Sequence, residues 1–218
     1  GLPNLITQRI GAADGKGDQQ AVGEYFASGI VVLALVGLCV ALGAWGLSYL
    51  LPSWMSLTGQ EAQILQSCFT IGAVAAALSI TNNSVIGFAR GIQRTTFVNA
   101  ALIVSSLSGF ALSLGLVLSG AGLYAVALGL LCRSMVLAIG CAVFTIAVLK
   151  EGLGATFRVR ASVLREFAKI SPATALGAIS YAAMSQSEVA LAAILIRPEV
   201  AAVLSLTRKA LDVAHNIV

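Results

Sequence analysis

Five charged residues stand in stretches of sequence that are otherwise apolar: Arg133, Glu188, Arg208, Lys209 and Asp212. Charge placed inside an apolar helix is costly, about 2.5–3.5 kcal/mol on membrane-insertion scales, so such residues face a cavity, a partner or a bundle interior. Arg133 carries the chemistry of an anion site, because a guanidinium presents several N–H donors to phosphate or diphosphate oxygens. The same residue would also suit a pair with a carboxylate on another helix. Glu188 and Arg208 flank the turn Arg197-Pro198-Glu199 at similar distances. An antiparallel hairpin there brings Glu188 level with Arg208 or Lys209, with Asp212 competing for Arg208 one turn on. That network either holds two helices together or serves as a proton- or cation-coupled switch. Asn82, Asn83 and Ser84 form a smaller polar cluster, and Gln186 stands close to Glu188. They read as interhelical glue, with Asn83 also a candidate substrate contact.

Nothing else in the chain suggests chemistry. There is no GxSxG, HExxH or phosphate-loop spacing, and the glycine-rich GAADGKG at 11–17 reads as a turn. Cys39, Cys68, Cys132 and Cys141 lie singly in apolar runs and read as small packing residues. His215 is the one histidine and has no companion ligand. No enzyme, metal or cofactor is expected. The net charge of +4 is better explained by basic membrane-flanking loops than by nucleic acid.

The elements that position these residues follow from where charge is missing. Residues 25–60, 62–89 and 95–132 contain no Asp, Glu, Lys or Arg, and about 20 apolar residues suffice for a helix to cross a bilayer. The chain is 58% hydrophobic and 10% charged, against about 25% charged in soluble domains. The fold class is therefore an all-α integral membrane protein, a polytopic helix bundle. Helices are expected from the start to residue 10, then over about 21–51, 63–88, 98–118, 123–149 and 171–196, with a last one from about 200. Pro52 should end the second. Gly37, Gly43, Gly72, Ala76, Gly109 and Gly129 are small residues at which membrane helices can approach closely.

Alternate connectors differ in charge. One side holds Arg9, Lys16, Arg90, Arg94, Lys150, Arg158, Arg160, Arg165 and Lys169, and the other holds only Arg197. The positive-inside rule makes the basic side cytoplasmic. Residues 150–170 form the longest polar segment and divide the chain into a first lobe, 1–149, a basic linker, 150–170, and the start of a second lobe, 171–218. The opening residues read as the end of a helix, and the chain is expected to be an internal stretch of a longer protein.

Three segments bring a family to mind by resemblance. GLPNLITQRIGAADGKGDQQAV (residues 1–22), GFARGIQRTTFVNAALIV (87–104, with Gly91, Gln93, Arg94 and Asn99) and SGAGLYAVALG (119–129) resemble helix junctions of the bacterial polysaccharide flippases. These are the O-antigen or Wzx-type family of the multidrug/oligosaccharidyl-lipid/polysaccharide exporter superfamily. Residues 171–218 resemble its seventh and eighth helices, with Glu188 as the acid inside the seventh. The resemblance implies a fragment of a two-lobed, 12–14-helix transporter in the bacterial inner membrane. It implies alternating access around a central cavity and a substrate of undecaprenyl-diphosphate-linked oligosaccharide. It further implies membrane lipids as partners and leaves room for a polysaccharide polymerase partner. Arg133 would then bind the diphosphate, and Glu188, Arg208, Lys209 and Asp212 would lie near the lobe interface. Three other readings stand beside it. A cation-coupled multidrug antiporter of the same superfamily would want carboxylates for cationic drugs. A membrane glycosyltransferase or ligase would want a catalytic carboxylate or a large outer loop. A non-transporting scaffold would leave Arg133 an unexplained cost.

Overall fold

The computed structural model describes residues 1–54, 57–150 and 157–169. Five helices follow one another: α1 (Leu2–Asp14), α2 (Gln19–Trp54), α3 (Gln60–Gly91), α4 (Thr95–Leu118) and α5 (Leu123–Lys150). A further helical stretch covers 161–169, and no strand occurs among the described residues. α2, α3, α4 and α5 are long and apolar enough to cross a membrane, and the chain is a membrane protein. Inside hydrocarbon there is no water to satisfy backbone N–H and C=O groups, so each span meets its own needs as a helix. α1, with 13 residues, rises only about 20 Å and falls short of a full crossing.

Short turns join the helices. After α1, the Asp18 N–H bonds back to the Ala13 carbonyl, and the Asp18 carboxylate accepts the Ala21 N–H at 3.0 Å, which caps the start of α2. The α3–α4 turn is made by Gln93 at φ +59°, an unusual conformation for a residue with a side chain. Gly120 and Gly122, both at positive φ, make the α4–α5 turn.

The helices extend past the expected boundaries. α2 continues to Trp54 with Pro52 inside it. Proline near a helix end gives up one hydrogen bond there rather than breaking the helix. α3 takes in Gln60 at one end and Gly91 at the other, and only residues 92–94 separate it from α4.

α3 is the central element. It packs on α1, α2 and α5, whereas α4 rests almost entirely on α5, and α2 does not pack directly on α5. Close approaches set the register. A Cβ on Gly37 would stand 2.8 Å from the Ala77 carbonyl oxygen, which fixes where α2 meets α3. One on Gly109 would stand 2.8 Å from the Gly129 carbonyl oxygen, and one on Gly140 would meet the Ala101 side chain at 2.7 Å, so α4 and α5 are antiparallel. Gly43 and Gly72 have open space around them. Of the small residues singled out by sequence, Gly37, Gly109 and Gly129 are the ones at helix crossings.

The turns after α1 and α3 and the end of α5 lie together at one end of the bundle. Of the described basic residues within Leu2–Ala168, all but Arg133 belong to that end. The well-buried core is there as well, built on Ile6, Ile10, Val22, Phe26, Val98 and Phe167. Phe26 stacks on Phe88 at 4.2 Å, Phe88 meets Phe144 edge-on at 6.2 Å, and Phe97 stacks on Phe144 at 5.9 Å. Toward the opposite end the helices carry exposed Leu38, Leu42, Leu107, Phe110 and Leu118, the apolar faces that a bilayer covers.

Candidate functional site

Arg133 stands on α5 ten residues after Leu123, about 15 Å along the helix and near the middle of a 30 Å hydrocarbon layer. It is exposed. Among the described residues it makes no ion pair and no side-chain hydrogen bond. The described carboxylates are Asp14, Asp18, Glu24, Glu61 and Glu166, each near an end of a membrane-spanning helix or outside the spans. On its inner flank α4 lies against it, for a Cβ on Gly109 would be 2.7 Å from the Arg133 Cβ.

One turn before Arg133, Leu130 helps line a cavity of about 380 Å³ between α2, α3 and α5. Val40, Cys68, Phe69, Ala76 and Val126 share the lining, which is apolar throughout. Residues three apart on a helix share a face, so a cation and an apolar hollow adjoin along α5. Gly72 and Ala76, small residues with room around them, keep this hollow open rather than bringing helices together.

Next to Arg133 in sequence, Ser134 points the other way and is buried against α3. Its carbonyl oxygen accepts a bond from Asn82 Nδ2 at 3.2 Å, and its hydroxyl lies 3.3 Å from the Ser79 hydroxyl. Asn82 is therefore the interhelical contact of the polar cluster. Ser84 is fully buried and donates to the Thr81 carbonyl within its own helix. Asn83, the candidate substrate contact, is half-buried and takes no part in the bonds to Ser134. A second cavity of about 320 Å³, lined in part by Thr81, Asn82, Ser84 and Thr145, opens beside this cluster.

Glu188, Arg208, Lys209 and Asp212 lie outside the described residues. No group of three or more metal-ligating side chains occurs among the described residues. Cys68 and Cys141 are buried, Cys132 is half-buried and Cys39 is exposed.

A charged cluster that sequence reasoning missed lies at the basic end. Arg160 Nη1 donates to Glu24 Oε2 at 2.9 Å, and the Arg160 backbone N–H donates to Ser28 Oγ at 3.3 Å. The Glu24 hydrogen bond raises the Arg160 guanidinium above its already high ordinary value. Arg9 pairs with Glu166. Phe157 meets Phe26 edge-on at 5.5 Å, and Tyr25 lies 6.4 Å from Phe167. Val163 and Phe167 are buried, and full burial of such a side chain is worth roughly 1.5–3 kcal/mol. Exposed ion pairs add about 0–1 kcal/mol each, so apolar contact leads and charge orients. The available signal was the i, i+4 spacing of Val163 and Phe167 within a segment that composition marks as a linker.

No protein-family model, no curated protein and no solved structure matches this chain.

Proposed function

We propose that this chain is part of a transporter that flips undecaprenyl-diphosphate-linked oligosaccharide across the bacterial inner membrane by alternating access. The observation that carries the reading is Arg133. It is exposed at mid-bilayer depth, has no partner among the described residues, and lies one turn from an apolar cavity. A polyprenyl diphosphate has a hydrocarbon tail and a dianionic or trianionic head, and an adjoining hollow and guanidinium suit those two parts. Keeping a guanidinium in hydrocarbon without a use would waste about 2.5–3.5 kcal/mol. The spans whose apolar windows surround Arg133 contain no described carboxylate at comparable depth, which favours an anionic cargo over a cationic drug.

The test is reconstitution of the full-length protein in liposomes, with transbilayer movement of a diphosphate-linked oligosaccharide lipid as the readout. Wild type and Arg133→Lys should both transport, and Arg133→Gln should lose at least about tenfold in rate, the loss of one charge-assisted hydrogen bond. Wild-type transport that survives Arg133→Gln would keep the activity and remove the site. Absence of wild-type transport would reject the flippase reading.

A further inference from the structure

α2 and α5 both pack on α3 and do not pack directly on each other. The chain leaves α5 at Lys150 and by Phe157 is seated against α2. From there to Phe167 it is held by apolar contact and by charge. Phe157 touches Phe26, Val163 and Phe167 are buried, Arg160 bonds Glu24 and Ser28, and Arg9 pairs with Glu166. Residues 157–168 belong to the same compact unit as α1 through α5.

We infer that residues 157–168 are a releasable clasp, which docks on α1 and α2 at the basic end and ties the end of α5 to them. Three features make it releasable. Both ion pairs reach water on their basic side: the Arg160 side chain is 62% exposed against 10% for Glu24, and the Arg9 side chain 46% against 27% for Glu166. Charges in contact with water are screened by salt. The apolar anchor is small, with only Val163 and Phe167 buried from the 161–169 helix. The segment also carries exposed Arg158, Ser162 and Arg165 beside exposed Phe157 and Val159, a mixture suited to a membrane surface when undocked. Docked, the clasp restrains α2 relative to α5; released, it leaves α3 as their shared support. The clasp does not depend on the transport reading.

Trypsin reads the clasp, because it cuts after Arg158, Arg160 and Arg165 only where the backbone can open. The measurement uses the chain in phospholipid vesicles with the basic end accessible, and scores cleavage in 158–166 relative to cleavage at Lys16 in the exposed α1–α2 turn. Glu24→Gln keeps these three cleavage sites and should accelerate their cutting about two- to fivefold, as loss of an ion pair worth up to about 1 kcal/mol raises the open population. The exchange Glu24→Arg with Arg160→Glu should return the remaining sites to within about twofold of wild type, the spread expected when a restored pair recovers its coupling. Unchanged cutting in Glu24→Gln, or an exchange variant cut as fast as the single one, would overturn the proposal. Wild type in about 1 M salt, where the screening length is about 3 Å, supplies a test that needs no substitution. Relative cleavage in the clasp should rise there, and no rise would overturn the proposal.

Discussion

Gly109 lies directly beneath Arg133: a Cβ added to the glycine would come within 2.7 Å of the arginine's own Cβ. The α4 backbone thereby forms one wall beside the only described charge at mid-bilayer depth. Replacing Gly109 with Val should push α4 from α5 and cost about 1–3 kcal/mol, the usual penalty of overpacking. Steric-trap or denaturant unfolding in bicelles would measure it. If Arg133 holds cargo, Gly109→Val should also slow transport by more than its stability loss explains, which a comparison at matched folded fractions would show.

Gly37 and Gly43 make a paired control on α2. The first would collide with the Ala77 backbone on gaining a side chain, and the second has open space. Gly37→Leu is expected to destabilise the bundle by about 1–3 kcal/mol, whereas Gly43→Leu should change stability little. Equal effects in the same unfolding assay would contradict the α2–α3 register.

Asn82 joins α3 to α5 through the Ser134 carbonyl. Bonds of this type in membrane proteins average about 0.6 kcal/mol. Asn82→Leu should therefore be mild, and Asn83→Leu milder still, since Asn83 takes no part in that bond. A loss above about 2 kcal/mol for Asn82→Leu would exceed the measured range for such bonds and point to a further partner.

Phe26 stacks on Phe88 and meets Phe157 edge-on. Phe26→Ala should cost about 3–5 kcal/mol, as for other buried aromatic truncations, and should expose the clasp to trypsin as well. Phe110→Ala, at an exposed site, should do neither.

The spans were legible because hydrocarbon forbids charge, so gaps between charged residues mark helices with little ambiguity. Their ends were less legible. Gln60 and Glu61 look like connector residues, but they join α3 because a long helix costs little to extend into interfacial water. Arg133 stood out by its charge. The glycine behind it did not, because Gly109 looks like Gly43 until the neighbouring helix is known. The clasp was hidden by composition: five basic residues made 150–170 read as a solvated linker, and the Val163–Phe167 stripe spans too short a run to register as amphipathic. Its partner Glu24 was equally quiet, an acid near the start of a helix where acids are common.

The almost exclusive rest of α4 on α5 has a consequence for biogenesis. α4 leaves the ribosome ahead of α5 and waits for the hairpin to close. Its hydroxyls are suited to that wait. Ser105 donates to the Leu102 carbonyl at 2.9 Å and Ser108 to the Ser105 carbonyl at 3.0 Å, both within α4 itself. Ser113 differs, bonding the Ala125 carbonyl of α5 at 3.0 Å. Ser113 is thus the polar residue of α4 whose needs are met across the hairpin, and its bond marks the moment at which α4 and α5 become a pair.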